Sequence, residues 1–164
     1  MKGIQADFKL KDDKVEEPTY YLGATVSKIR NEDGVECWAM DSDKYCESAV
    51  KNVEEVLKKK GFRLPGKCRT PFCSGFKPEQ DTTAKLKADG VQWYQELIGQ
   101  LRWAVEIVRV DILLEVALLM HRLTLPREGH LEQALHDLGY LKEHNKLRLM
   151  FYCGMPTVDK RLFK

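Results

Sequence analysis

The sequence predicts an α+β fold in which a short antiparallel β meander precedes a bundle of helices. Three observations indicate it. In the first forty residues, apolar side chains alternate with polar ones or cluster in aromatic and β-branched runs, which is typical of half-buried strands. From residue 43 onward the apolar spacing becomes helical. Between residues 62 and 84, repeated Pro and Gly interrupt both patterns, which predicts an extended connection long enough to be a functional loop.

Three strands and a later closing strand are expected in the meander. Ile4, Ala6, Phe8 and Leu10 alternate with polar residues, which predicts a first strand. The second is expected over residues 20–29 and the third over 35–40, because turn-forming residues at 31–34 separate two runs of good strand formers. Residues 147–152 are expected to form the closing strand.

The helices are predicted from apolar spacing and from start and stop signals. Residues 41–43 carry short oxygen side chains that can cap a helix, and Gly61 ends that helix. A second helix is expected over residues 90–107. A third, over 111–123, is apolar almost all round and is therefore expected to be the buried central helix. The last begins near Pro126, a favoured first-turn residue, and places on one face Leu131, Ala134, Leu135, Leu138 and Leu141.

Composition excludes several classes of protein. The 164 residues fit one domain or a fragment, with 43% hydrophobic and 32% charged residues, which is ordinary for a globular chain. The net charge of +2 is too small to attract nucleic acid except through a local patch. The longest apolar stretch is too short to cross a bilayer. The first residues lack the apolar run of a secretory signal, so we expect an intracellular setting, with no membrane partner.

No residue set predicts self-contained catalysis. Asp12 and Asp13 are adjacent but lie in a charged turn without a third carboxylate, and the four histidines are not at the i, i+4 spacing of a helical metal pair. The five cysteines form no CxxC pair, so idle thiols are expected rather than zinc ligands. We therefore predict no catalytic and no metal-binding residue in the sequence.

The helix predicted over residues 90–107 carries an unusual second face. Its apolar stripe contains Val91, Tyr94, Leu97, Ile98, Leu101 and Val105. Gln95, Gly99 and Trp103 instead fall together on another face, at i, i+4 and i+8. A glycine inside a helix costs about 1 kcal/mol relative to alanine. Two interpretations are open: a neighbouring element packs closely over Gly99 with Trp103 under a loop, or the face approaches a nucleic-acid minor groove.

Glu96 and Glu106 border that face and would repel phosphate unless Arg102 and Arg109 offset them. A basic segment supplies a second candidate surface, in which six of the twelve residues from 58 to 69 are cationic and none is acidic. Its cations are Lys58, Lys59, Lys60, Arg63, Lys67 and Arg69. Such a cluster predicts phosphate binding without base recognition, although a solvated basic helix end explains part of it.

Several strings of the sequence, in order and with similar spacing, resemble the copia-type retrotransposon reverse transcriptase. They are Tyr-Tyr-Leu-Gly-Ala at 20–24, Met-Asp-Ser-Asp-Lys-Tyr at 40–45, Thr-Pro at 70–71, Tyr-Gln-Glu-Leu-Ile-Gly-Gln-Leu-Arg-Trp at 94–103, Arg-Val-Asp-Ile at 109–112, Pro-Arg-Glu-Gly-His at 126–130 and Tyr-Leu-Lys at 140–142. The resemblance covers nearly the whole chain and rests on the collinearity of these strings.

The resemblance implies a division of the chain into segments. Residues 1–40 would be the end of the palm with the primer-grip meander, 41–61 a connecting helix, 62–84 an extended loop, 85–146 a helical thumb-like region, and 147–164 a closing strand and tail. Tyr21, Leu22 and Gly23 would belong to the primer grip, which holds the primer 3′ end. Gln95, Gly99 and Trp103 would be the minor-groove track of the thumb.

The resemblance also implies a function. The parent enzyme is an RNA-directed DNA polymerase that uses two Mg²⁺ ions at a Tyr-x-Asp-Asp motif, which this sequence lacks. The chain would therefore bind no cofactor of its own, show no polymerase activity alone, and position an RNA/DNA primer-template. Further expected partners are the missing palm or RNase H portion of the polyprotein. The alternative is a helical protein-interaction module derived from a retroelement.

Overall fold

The computed structural model describes residues 17–152, which form one antiparallel sheet and a set of helices. Strands β1 (Tyr20–Tyr21), β2 (Ala24–Arg30), β3 (Glu36–Asp41) and β4 (Arg148–Phe151) stand in the order β1-β2-β3-β4. The first three follow one another as hairpins, and β4 returns from the end of the described chain to pair with β3. The predicted α+β class, with a meander followed by helices, is confirmed.

The predicted third and closing strands are present, but the single strand expected over residues 20–29 is divided into β1 and β2 by a turn at residues 22–23, where positive φ interrupts the extended chain. The strand expected at Ile4–Leu10, the Asp12-Asp13 turn and the tail after 152 lie outside the described residues. β2 and β3 pair from Thr25 with Asp41 to Arg30 with Glu36. The turn between them closes through the Asn31 side chain, which accepts a hydrogen bond from the Val35 backbone at 2.8 Å. Such turns are typical of asparagine, whose short side chain can replace a backbone acceptor.

The helices are α1 (Asp43–Lys59), α2 (Ala88–Ile107), α3 (Leu113–Met120) and α4 (Glu128–Glu143), with single 3₁₀ turns at Pro78–Gln80 and Val110–Ile112. α2 lies at the centre of the helical layer, since its buried residues share one core with those of α1, α3 and α4. These buried residues are Tyr94, Leu97, Ile98, Leu101 and Ala104. Tyr94 also donates from its hydroxyl to the Leu119 carbonyl at 2.8 Å, which ties α2 to α3. None of the helices among residues 17–152 is long and apolar enough to cross a membrane.

The prediction that residues 111–123 form the buried central helix is wrong. α3 has eight residues and buries one side, through Glu115, Val116 and Leu119. Leu113 and Leu114 are 53% and 62% exposed. Apolar residues all round a helix indicate burial only where neighbours surround it, and here α2 and α4 cover a single side.

Two expected helix starts also differ from the structure. Ser42 precedes α1 but its side chain caps no backbone amide; its hydroxyl lies 3.6 Å from the Cys46 sulfur instead. Pro126 precedes the first turn of α4 rather than occupying it, because the helix begins at Glu128 with Arg127 at the N-cap. There His130 Nδ1 accepts from the Arg127 backbone amide at 2.9 Å, so a histidine replaces the usual capping carboxylate.

The connection from residue 62 to 84 is extended, as predicted, and most of its anchors lie on α4. His136 Nε2 is 2.9 Å from the Thr70 carbonyl, Gln133 Nε2 donates to Pro71 at 2.8 Å, and His130 Nε2 is 2.8 Å from the Pro78 carbonyl. A carbonyl oxygen can only accept, so both histidines donate from Nε2. Positions 130, 133 and 136 repeat every three residues, which places one anchor on each turn of α4. The connection is therefore a strap bound along that helix.

Candidate nucleic-acid interface

The hairpin turn between β1 and β2 presents the residues expected to form the primer grip. Leu22 has φ +49° and Gly23 φ +101°, and both central residues of a two-residue type I′ turn require positive φ. Glycine accepts this conformation readily, whereas leucine is strained in it. Tyr20, Tyr21 and Leu22 are exposed, so the turn holds three large apolar side chains in solvent.

The hairpin turn packs directly against the Trp103 end of α2. A β-carbon placed on Gly23 would lie 3.1 Å from Ile107 Cδ1 and 3.6 Å from Trp103 Nε1. Tyr45 of α1 supports the same region, because its hydroxyl donates to the Gln100 carbonyl at 3.0 Å and burial raises its pKa to about 12. The structure therefore brings Gly23 next to Trp103, although they are far apart in sequence.

Trp103 is half-buried, with 41% of its surface exposed. Its indole N–H donates to no group among residues 17–152. The hairpin turn lies beside the Nε1 edge of the ring, and part of the ring faces solvent. The interpretation that a loop covers Trp103 is therefore only partly right, because the hairpin turn lies beside one edge of the ring.

Gly99 is exposed, and a methyl group built on it would meet nothing within 4 Å. The interpretation that a neighbouring element packs over Gly99 is wrong for the described part of the chain. Gly99 instead lines a shallow cleft of about 260 Å³ between α2 and the end of α3. Its lining residues are Gln95, Ile98, Gly99, Arg102, Met120 and Leu123. Gln95 lies at one side of this cleft, where its amide nitrogen donates to the Leu123 carbonyl at 2.9 Å, which fixes the side chain.

Glu96 and Glu106 border the α2 face that carries Gly99, and neighbouring side chains partly offset their negative charges. Glu106 pairs with Arg102 at 3.4 Å, and Glu96 accepts from the Gln92 amide at 3.2 Å. Arg102 is exposed and lines the cleft, so it adds a cation that the predicted site residues did not include. Arg102 follows Gly99 by three residues, and because residues at this spacing are neighbours on a helix surface, the sequence could have indicated that Arg102 lies near Gly99.

Arg109 cannot offset either glutamate, contrary to the sequence expectation. Its side chain is fully buried and makes two hydrogen bonds to Asp111, at 2.9 and 2.7 Å. Burial alone would raise the pKa of Asp111, but these hydrogen bonds and the guanidinium charge lower it below its usual value. Arg109 therefore supports the turn between α2 and α3, and phosphate cannot reach it.

The basic segment divides between three places. Lys60 Nζ lies 4.3 Å from the ring centre of Trp93, near the start of α2. Lys58 and Arg63 line a cleft of about 500 Å³ together with Lys142 of α4. Lys67 and Arg69 belong to the strap, where the Lys67 backbone amide donates to the Glu143 carboxylate. All of the segment's cations, including Lys59, are exposed, but they do not form a single patch.

The described residues contain no group of three or more His, Cys, Asp or Glu side chains arranged to hold a metal ion. Cys68 and His136 are a pair of potential nucleophile and base, whose sulfur and Nδ1 lie 3.5 Å apart. Burial raises the pKa of the Cys68 thiol, and Glu143 and Asp137 raise it further, so thiolate is disfavoured.

Asp137 of α4 is a buried carboxyl group that the sequence did not reveal. It is fully buried, and its Oδ1 accepts from Gln133 Nε2 at 2.7 Å, while Oδ2 has no partner among the described residues. Burial raises its pKa well above the usual value, and the nearby Glu115 carboxylate adds to this. The environment thus disfavours the ionised form.

We expect Asp137→Asn to stabilise the protein near pH 8, by about 1 kcal/mol. A carboxyl group with a raised folded-state pKa contributes stability that is complete below its unfolded pKa of about 3.9 and is lost as pH rises through the folded value. The amide does not titrate, so the gain from Asp137→Asn should grow from pH 4 to pH 8 in urea unfolding. A gain that is constant with pH, or a loss at pH 8, would contradict this assignment.

Comparison with known proteins supports a retrotransposon origin. The chain is 36% identical over 86 residues to a transposon Ty5-1 protein of Saccharomyces cerevisiae, and the match covers 52% of this chain. It spans 27% of the length of that relative. No protein-family model matches the chain. No solved structure matches it either.

Proposed function

We propose that the chain is a segment of a copia-type reverse transcriptase that positions primer-template nucleic acid and is inactive as a polymerase by itself. The observation that carries this proposal is the contact between the hairpin turn at Leu22–Gly23 and Trp103. Gly23, from the residues that resemble a primer grip, and Trp103, from those that resemble a minor-groove track, are thereby neighbours, which supports the proposal.

The shape of this surface supports binding of a duplex. Gln95, Gly99 and Trp103 follow one face of α2 at spacings of four residues, over about 12 Å along the helix axis. Gly99 lies between the other two with open space above it, so a sugar–phosphate backbone could approach the helix backbone there. Exposed aromatic and amide side chains along such a track contact sugars and groove edges without reading sequence. Lys60 adds positive charge beside Trp93, near the start of α2.

The proposal predicts separate effects on binding and on stability. Trp103→Ala should weaken binding of a short blunt RNA/DNA hybrid while lowering stability by about 1 kcal/mol, because the ring is already half in solvent. Fluorescence anisotropy with a labelled hybrid, together with thermal melts, measures both quantities. A buried tryptophan would instead cost about 3 to 5 kcal/mol. A large stability loss with unchanged hybrid affinity would contradict the groove-facing assignment.

The same titrations test the cations. Charge reversal at Lys59 and Arg63 should lower hybrid affinity and reduce the salt dependence by about one to two in logarithmic slope, because each phosphate contact contributes about 0.9. Lys77→Glu, an exposed reversal in the strap, is the matched control. Equal slopes in all three proteins would place phosphate contact elsewhere.

A second candidate function is a helical protein-interaction module. It is favoured by the exposed apolar residues Val110, Leu113 and Leu114 at the start of α3, since exposed apolar patches often mark protein interfaces. Salt distinguishes the two candidates. Binding to nucleic acid weakens steeply as salt rises, whereas binding through this apolar patch should hardly respond.

A further inference from the structure

The cleft between the end of α1 and the end of α4 contains an exposed aromatic residue that the proposed duplex binding along α2 does not use. It has a volume of about 500 Å³ and is lined by Glu54, Lys58, Gly61, Phe62, Arg63, Leu64 and Lys142. Phe62 is 67% exposed, so its ring is available to a ligand in the cleft. The volume lies within the range of small-ligand sites.

The turn after α1 holds Phe62 rigidly in this cleft. The Phe62 amide donates to the Leu57 carbonyl at 2.9 Å, and the Gly61 amide donates to Lys58 at 3.1 Å. These two bonds define a Schellman cap, with Gly61 at φ +77° in the left-handed position that the cap needs. Leu64, two residues beyond Phe62, packs against the core. The backbone is thus fixed on both sides of the ring, so little conformational entropy is lost when a ligand covers it.

The charge around Phe62 favours an anionic ligand. Lys142 is paired with Glu54 at 2.6 Å, which offsets the carboxylate that lines the cleft. The side chains of Lys58 and Arg63 have no hydrogen-bond or ion-pair partner among residues 17–152. An exposed aromatic ring between two available cations is the combination that binds single-stranded nucleic acid, through a base stacked on the ring and phosphates held by the cations.

We infer that this cleft binds an unpaired nucleotide of a single-stranded segment, with its base on Phe62 and its phosphate between Lys58 and Arg63. The inference rests on the proposed function only in that both concern nucleic acid. The two surfaces use different aromatic residues, Trp103 for the duplex and Phe62 for the single strand, whereas the positive charge of Arg63 contributes to both. A chain with both would hold a duplex along α2 and an unpaired overhang at the end of α1.

The test uses the full chain with a fluorescent oligothymidylate of about eight nucleotides, and in parallel with a blunt RNA/DNA hybrid. Phe62→Ala should weaken binding of the single strand by about fivefold or more, since stacking of one base contributes at least that factor. Phe62→Trp should retain affinity, and Phe62→Leu should lose it, because leucine keeps apolar bulk without a stacking face. Tyr152→Ala, an exposed aromatic residue beyond β4, is the matched control.

Location is tested by photocrosslinking an oligonucleotide that carries 5-iodouracil, with the crosslinked peptide expected to contain Phe62. Full affinity in Phe62→Ala or Phe62→Leu, or crosslinks confined to other segments, would overturn the inference. So would displacement of the oligonucleotide by polyglutamate at equal charge concentration, which would show a general anion site. If Trp103→Ala weakens hybrid binding while Phe62→Ala leaves single-strand binding unchanged, the proposed function stands and the cleft inference fails. If Phe62→Ala weakens single-strand binding while Trp103→Ala leaves hybrid binding unchanged, the cleft inference stands and the proposed duplex surface fails.

Discussion

Gly139→Ala is expected to destabilise the protein by about 1 to 3 kcal/mol, although alanine is the better helix former. A β-carbon at Gly139 would lie 2.6 Å from the Pro65 carbonyl oxygen and 2.9 Å from the Cys68 sulfur. The shorter of these contacts is to backbone, so a change of side-chain rotamer cannot relieve it. The strap must move away from α4, and neighbouring bonds such as that between His136 and Thr70 weaken with it. Urea unfolding at constant m-value measures the loss.

The matched control is Gly99→Ala, which makes the same change in the interior of α2. No described atom lies within 4 Å of the added methyl group, so the substitution should stabilise the protein by up to about 1 kcal/mol through helix propensity alone. We therefore expect the stability to fall in Gly139→Ala and to rise in Gly99→Ala. Stabilisation at both would mean that the strap does not lie against Gly139. In the hybrid titrations, Gly99→Ala should also weaken binding, because the methyl group blocks close approach of the nucleic acid.

The contrast between the two glycines illustrates what the sequence could and could not predict. Both are single glycines inside helical patterns, and periodicity treats them alike. Gly99 attracted attention because Gln95 and Trp103 share its face, and the structure leaves that face open. Gly139 was unremarkable in the sequence, yet the strap approaches it closely. Close approach depends on where another segment lies, and local spacing carries no information on that.

The elements were largely predictable because local patterns determine them. The strands at 24–30 and 36–41 and the helices α1, α2 and α4 follow from alternation and from helical apolar spacing. The orientation of α3 was not predictable. A helix that is apolar on every side has no polar face to indicate which side turns toward solvent. The strap was predicted as an extended loop, but its attachment was missed. The available signal was the three-residue repeat of His130, Gln133 and His136 on α4.

The arrangement of the candidate interface was not predictable from the sequence. The residues of the hairpin turn and of the α2 face were identified separately, and tertiary folding places Gly23 against Trp103. The basic segment was read as one patch because its residues are consecutive. A turn at Gly61 and the strap distribute them over three places, so proximity in sequence overestimated their proximity in space.

Asp111→Ala is expected to cost about 3 to 5 kcal/mol, the largest single effect that the structure predicts. Arg109 is fully buried and its guanidinium binds Asp111 through two hydrogen bonds, while its Nη1 has no partner among the described residues. Without Asp111, a buried charge would lose its counterion. The nearest aromatic ring, that of Tyr140, lies 5.8 Å from the guanidinium carbon and can replace little of the lost interaction.

The double variant Arg109→Met/Asp111→Ala shows whether the cost arises from the stranded charge. Replacing both members of a buried ion pair with apolar groups is often nearly neutral, so the double variant should be more stable than Asp111→Ala alone. The coupling between the two positions should reach about 1 to 3 kcal/mol in a double-mutant cycle measured by urea unfolding. Because Arg109 lowers the pKa of Asp111, the native pair contributes stability above the unfolded pKa of about 3.9 that is lost as pH falls. Additive losses in the cycle, unchanged between pH 7 and pH 3, would show instead that the two residues act through packing alone.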